Sequence, residues 1–189
     1  MTASLPQSHH DYSFADYLAL ERDSEIKHEF DSGEILAMAG GTARHSALAA
    51  KIIVALGTTP ARGCTVFQSD MRVRIAATGR ATYPDASMVC GPIEYDTEDA
   101  VRTTITNPIL LVEVLSVTTE KGDRGDKWMH YQRIPSLAEY VLVNQEPRIE
   151  IFRRTPLGTW EYFEVREGIL KLASGPALDL SMLYADLPV

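Results

Sequence analysis

Apolar residues recur along this chain at two spacings, one helical and one alternating. Phe14, Tyr17, Leu18 and Leu20 follow Ser13 at helical spacing, and Ser13 is of a type that caps a helix start. Lys27-His28-Glu29-Phe30 and Glu34-Ile35-Leu36-Ala37-Met38 flank Asp31-Ser32-Gly33, which predicts a hairpin. Gly40-Gly41 breaks the chain, and Thr42 opens an Ala/Ile/Val-rich helix from about Ala43 to Leu56, ended by Gly57 and Pro60. Strands are expected over Cys64 to Gln68, Met71 to Ile75, Tyr83 to Cys90 and Ile109 to Ser116, with a turn at Thr78-Gly79-Arg80 and a polar surface excursion from Gly91 to Asn107. After a polar stretch from Thr118 to Gly125, a helix runs from about Asp126 to Arg133 and stops before Pro135. Glu139 to Asn144 and Arg148 to Phe152 form a strand pair about Gln145-Glu146-Pro147, and Thr159 to Arg166 with Ile169 to Leu172 form a terminal hairpin through Glu167-Gly168. This order predicts an α+β (mixed α/β) domain with a central mixed β-sheet, flanking helices and extra hairpins. Residues 1–12 read as a leader and 13–189 as a single domain.

One acid interrupts this pattern. Glu113 lies in the apolar run Ile109-Leu110-Leu111-Val112-Glu113-Val114-Leu115-Ser116. Strand alternation puts Leu111, Glu113 and Leu115 on one face and Val112 and Val114 on the other. A carboxylate between leucines is costly to bury without a partner, whether a metal ion, a cation or a substrate. A second acid, Asp85, heads the strand from Ala86 to Cys90. Two acids delivered by two strands are a common way to hold a hard divalent cation.

Composition narrows the possibilities. The 189 residues are 45% hydrophobic and 23% charged, enough for one domain with a real core. No apolar run approaches the ~20 residues that span a bilayer, so no membrane association is expected. The polar start, Met1 to Asp11, lacks the order of a signal peptide, which points to the cytoplasm. The net charge of -8 argues against broad attraction to nucleic acid but leaves room for a nuclease, whose acids are neutralised by a bound cation. Cys64 and Cys90 match no disulfide framework or zinc spacing and are expected to be core thiols.

The ordered series Phe30-Asp31-Ser32-Gly33-Glu34-Ile35, Tyr83-Pro84-Asp85-Ala86, Leu111-Val112-Glu113-Val114-Leu115-Ser116, Asp123-Arg124-Gly125-Asp126-Lys127, Tyr131 and Glu139-Tyr140-Val141-Leu142-Val143 resembles the Uma-type restriction endonuclease family of the PD-(D/E)XK nuclease superfamily. The resemblance runs from about Phe14 to Leu183 and implies a restriction-endonuclease-like fold. It also implies metal-dependent hydrolysis of DNA phosphodiester bonds. The superfamily pattern places a lysine two residues after the second acid, where this chain has Leu115; Lys127 on the next helix is the implied replacement. The implied catalytic set is Asp85, Glu113, Lys127 and Glu34, with the cation held by Asp85, Glu113 and the Val114 carbonyl. An oxygen-only set without a His/Cys cluster favours Mg2+ or Mn2+ over zinc.

His45, at the head of the second helix, and Arg72 and Arg74, alternating on one strand, are candidates to touch DNA. Each site residue also has a structural reading. Asp85 could start a strand, Glu113 could pair with an arginine, Lys127 and His45 could be solvated helix residues, and Glu34 and the two arginines could lie on solvated faces. Two functions therefore stand side by side: a DNA-cutting enzyme, with a homodimer suited to cutting two strands, and a non-catalytic nucleic-acid- or protein-binding module on the same fold. No Walker motif, dinucleotide fingerprint or serine nucleophile elbow is present.

Overall fold

A computed structural model describes residues 11–58, 63–116 and 120–188. The leader up to residue 10, Pro60 and Thr118-Thr119 lie outside the described residues. Helix α1 (Phe14–Asp23) starts on a capping box: the Asp16 amide donates to Ser13 Oγ and the Ser13 amide donates to Asp16 Oδ2. Strands β1 (His28–Asp31) and β2 (Glu34–Ala37) form the expected hairpin. Its turn residues Ser32 and Gly33 both have positive φ (49° and 84°), the left-handed pair that suits a two-residue hairpin loop. Helix α2 (Ala43–Thr58) begins where the His45 amide donates to Thr42 Oγ1, and it continues through Gly57.

The strands that follow are β3 (Cys64–Gln68), β4 (Arg72–Ile75), β5 (Arg80–Thr82), β6 (Ala86–Cys90), β7 (Thr104–Ile105) and β8 (Leu110–Val114). After a π-helical segment (Gly122–Lys127) that runs into α3 (Trp128–Tyr131) come β9 (Glu139–Val143), β10 (Ile149–Arg154), β11 (Trp160–Val165), β12 (Ile169–Lys171), β13 (Ala177–Asp179) and α4 (Leu180–Tyr184). The fold is α+β and contains mixed sheets. A six-stranded sheet has the order β11-β10-β9-β8-β6-β3 and is antiparallel apart from the β8–β9 pair. A five-stranded sheet, β2-β1-β5-β4-β7, stands beside it. Alternation along β8 decides what each face of the six-stranded sheet meets. Leu110, Val112 and Val114 pack with Leu48, Ile52 and Leu56 of α2. Leu111 and Leu115 pack with Tyr131, Tyr140, Val73 and Ile75. Among the described residues no helix is long and apolar enough to cross a membrane.

The structure corrects several expectations. The polar stretch before Lys127 is helical from Glu120 onward. Strand β12 pairs with β13 and not with β11, so the expected terminal hairpin is replaced by a separate two-stranded unit. The excursion from Gly91 to Asn107 is anchored by β7 and by buried Asp99. Cys64 and Cys90, expected as thiols, face each other in the β3–β6 register and form a disulfide.

Candidate functional site

Strand register brings the two acids together. Ala86 pairs with Val112 and Ser87 with Leu111, so continuing by one residue sets Asp85 across from Glu113. Asp85 Oδ2 accepts a 2.7 Å hydrogen bond from the Val114 amide, which ties the loop before β6 to the end of β8. Both acids line a cavity of about 130 Å³, together with His45, Val114, Asp123, Lys127 and the turn from Met38 to Thr42.

The helix after β8 closes this cavity. Its π-helical geometry carries Asp123 and Lys127 on one side, and π segments of this kind are frequent at functional sites. Lys127 Nζ lies 3.1 Å from Glu113 Oε1, 3.1 Å from Asp123 Oδ1 and 3.2 Å from Glu29 Oε1 of β1. Glu113 Oε1 also accepts a 2.9 Å bond from the Tyr131 hydroxyl, itself 2.8 Å from Thr82 Oγ1. Tyr140 donates to the Asp123 carbonyl and so holds the π segment against β9. A second cation, Arg80, bonds Asp126 at 2.6 Å and lies 3.5 Å from Glu29 Oε2.

The electrostatics follow from burial and crowding. Three carboxylates (Glu29, Glu113 and Asp123) surround one ammonium. Burial pushes the Glu113 carboxyl up to about 8; Lys127 opposes the rise, and Asp123, Asp85 and Glu29 add to it. Burial works against the Lys127 ammonium, but Glu113, Glu29 and Asp123 outweigh it and its pKa rises well above the ordinary lysine value. Without a cation, the extra proton therefore resides on Glu113 while Lys127 keeps its charge. Burial likewise raises the Tyr131 phenol, which stays a neutral donor.

His45 enters from the opposite wall, with Nε2 3.2 Å from Asp85 Oδ2. The hydrogen bond to Asp85 raises its pKa, burial opposes this, and a bond to the Val114 main chain adds to the rise. Arg44, the residue before it, donates from Nε and Nη2 to the Gln145 carbonyl, and the Gln145 amide nitrogen donates to the Leu115 carbonyl. The start of α2 is thus fastened to the end of β8.

Asp85, Glu113, Val114, Lys127 and His45 converge on this cavity. Glu34 does not: it is exposed at the turn end of the hairpin, opposite Asp31. The hairpin acid that reaches Lys127 is Glu29. Arg72 and Arg74 do not line this cavity either. Arg72 is buried, donating to Thr104 and Thr103 with Asp99 3.7 Å away, while Arg74 lies 3.3 Å from the centre of the Phe14 ring. Sequence reasoning missed Glu29 and gave Asp123 no role; an acid two residues before Asp31 in an alternating hairpin was the only signal for Glu29.

Among the described residues no cluster of three or more His, Cys, Asp or Glu side chains has the closeness to hold a metal by itself. Three carboxylates (Asp85, Glu113 and Asp123), His45 and Lys127 line the cavity; Lys127 is paired with Asp123 and Glu113, and Asp85 with Glu113 is the carboxylate pair that two neighbouring strands deliver. A pair of carboxylates is the kind of donor through which Mg2+ or Mn2+ binds while retaining water.

The profile of the Uma2 family, described as "Putative restriction endonuclease", matches residues 14–185. Two uncharacterized proteins of Synechocystis sp. are similar: one is 34% identical over 147 residues, 77% of this chain and 75% of the relative. The other is 35% identical over 132 residues, 69% of this chain and 73% of the relative. A crystal structure from Anabaena variabilis, described as "a putative nuclease belonging to DUF820", superposes with a TM-score of 0.70 at 17% identity. It covers 90% of this chain and 97% of that one, so the two share a fold.

Proposed function

We propose that this chain, which belongs to the Uma2 family, is a divalent-cation-dependent endonuclease that hydrolyses DNA phosphodiester bonds. The observation that carries this reading is the arrival of Lys127 at Glu113 from the following helix, 3.1 Å from its carboxylate, where the strand itself offers only Leu115. Asp85, Glu113 and the Val114 carbonyl would hold Mg2+ or Mn2+. When bound, the ion supplies charge neutralisation at the phosphate and a water acidic enough to attack it.

The protein's own groups do the rest. Tyr131 fixes Glu113 through its 2.9 Å bond. Glu29 and Asp123 keep Lys127 charged and hold it at the cavity wall. From there its N–H groups orient the attacking water and stabilise the charge that grows on the phosphate oxygens. The water oxygen bonds to phosphorus as that water gives up a proton to bulk solvent, the bond to the leaving sugar oxygen breaks, and that oxygen takes a proton from solvent, so no net proton is consumed. A duplex cut on both strands would use two copies of the chain.

The enclosure of Lys127 by three carboxylates favours a second reading, a non-catalytic nucleic-acid- or protein-binding module. Supercoiled, linear and single-stranded DNA incubated with Mg2+ or Mn2+, and with chelator, separates the two. Cleavage by the wild type that vanishes in Asp85→Ala, in Lys127→Ala and with chelator supports the enzyme. Intact DNA in every wild-type reaction, with the cation bound, leaves the binding module.

A further inference from the structure

The acid cavity does not end at Asp85. A second cavity of about 480 Å³ opens from it, and the turn from Met38 to Gly41, His45, Tyr83 and Asp85 line both. Its other walls come from Ile26 and Lys27 before β1, Ser46 and Ala49 of α2, and Ser69 between β3 and β4. The acid cavity, at about 130 Å³, is below the ~300–1,000 Å³ of pockets that take small organic ligands. The second cavity lies inside that range.

Its chemistry suits a nucleoside. Met38, Ala39, Ala49 and the exposed Ile26 make the walls apolar, and the Ser46 and Ser69 hydroxyls add hydrogen-bonding groups. An unstacked base is held by that mixture of apolar wall and hydrogen bond. Tyr83 sits where the two cavities meet, its hydroxyl fixed by a 3.0 Å bond to Glu21 and its ring centre 5.5 Å from Lys27 Nζ. Asp85 follows two residues later, at most ~7 Å away along the backbone. A nucleoside seated beside Tyr83 therefore adjoins a phosphate at Asp85.

The charges argue against a duplex held by its backbone. The chain carries a net charge of -8, and cations around the cavities are already engaged: Lys27 with Asp70, Arg80 with Asp126, and Lys127 with its three carboxylates. Cations so engaged release few counterions from duplex phosphates, the usual source of duplex affinity. Stacking and burial of a single base need no such charge.

We propose that the second cavity holds the nucleoside next to the scissile phosphate, out of any base stack, so that the chain selects single-stranded or locally unpaired DNA over regular duplex. This rests on the nuclease reading given above. A paired base must first be unstacked and unpaired to enter the cavity, and that cost is least where the base has no partner.

The test measures binding without cleavage, by fluorescence anisotropy with the full chain and Ca2+ in place of Mg2+. Three DNAs share one sequence: a single strand, a regular duplex, and a duplex with one unpaired nucleotide. The wild type should bind the single strand and the interrupted duplex about tenfold more tightly than the regular duplex. Ser46→Trp and Ser69→Trp fill the second cavity from two different walls, and neither residue lines the acid cavity. Each should weaken binding of the single strand and the interrupted duplex about tenfold and change the regular duplex less than about twofold. In the wild type, 5-iodouracil as the unpaired base should photocrosslink to the peptide that carries Met38 or the one that carries Tyr83. Equal affinity for the three DNAs, a preference kept by either folded variant, or crosslinking elsewhere overturns the nucleoside cavity and leaves the nuclease reading standing. Wild-type protein that binds none of the three overturns that reading and this inference with it.

Discussion

Lys127 Nζ meets Glu113 Oε1 at 3.1 Å although fourteen residues separate them in the chain. The contact joins a strand acid to a base on the π-helical segment, and Tyr131, one helical turn further on, bonds the same oxygen. Substitutions here therefore act on chemistry and on folding together, and the two have to be measured separately.

Lys127→Ala should reduce DNA cleavage by at least ~100-fold per folded molecule, since it removes a cation from the growing phosphate charge. It should also destabilise the cation-free protein by about 3 kcal/mol, because the Glu29 and Asp123 carboxylates lose their common counter-ion. Urea melts with and without Mg2+, alongside cleavage rates, check both. Wild-type cleavage by the variant would show that Lys127 is a structural ion-pair residue.

Cation binding should depend on pH through Glu113. Its carboxyl is raised from 4.5 to about 8 in the cation-free fold, so between those values the native state holds a proton that the unfolded chain has released. The sign is therefore negative: this group's contribution to stability falls as pH rises across that window. A cation must displace the same proton, so its apparent affinity should climb about tenfold per pH unit up to about pH 8. Calorimetric titrations in buffers of different ionisation enthalpy should report about one proton released per ion near pH 7. Affinity that is flat across the window would argue against Glu113 as a ligand.

Asp99 should be a structural acid. It accepts bonds from the Thr103 amide and from the hydroxyls of Thr103 and Thr104, and it lies 3.7 Å from the buried Arg72 guanidinium. Burial opposes its ionisation, but the bonds from Thr104, Thr103 and the Val101 amide outweigh this and hold its carboxyl below the ordinary aspartate range. Its stabilisation is present above about pH 4 and lost as pH falls through the lowered value. Asp99→Ala should cost about 3 kcal/mol by leaving Arg72 buried and unpaired, with cation affinity unchanged. A neutral result in urea melts would mean that Arg72 finds another partner.

The Cys64–Cys90 bond closes a loop of sequence separation 26, for which chain entropy assigns about 3.5 kcal/mol. Reductant should lower the urea midpoint accordingly, and thiol titration of the denatured protein should find these two groups only after reduction. Two free thiols in protein purified without reductant would show the bond to be absent.

By itself the sequence determined which segments alternate and which acid is buried among them. The run from Ile109 to Ser116 implied both the strand and the cost of Glu113, because two-residue periodicity is a local property of the backbone. The β1–β2 hairpin, the cap at Ser13, helix α2 and the position of Asp85 at a strand head were legible for the same reason. Tertiary structure alone decided which elements meet. Glu29 and Glu34 lie on one face of the same hairpin, since the register pairs Glu29 with Leu36 and Asp31 with Glu34. Only the distance from the turn separates them, so Glu29 reaches Lys127 and Glu34 lies exposed at the turn end. Periodicity could not show that Asp123 would share a helical side with Lys127, because the segment is polar and its π geometry is stabilised by contacts with Glu113 and Tyr140. Nor could it show that Cys64 faces Cys90, that β12 pairs with β13, or that Arg72 and Arg74 turn inward. Each of these depends on long-range partners, and local pattern carries no information about which partner a strand or a charge will find.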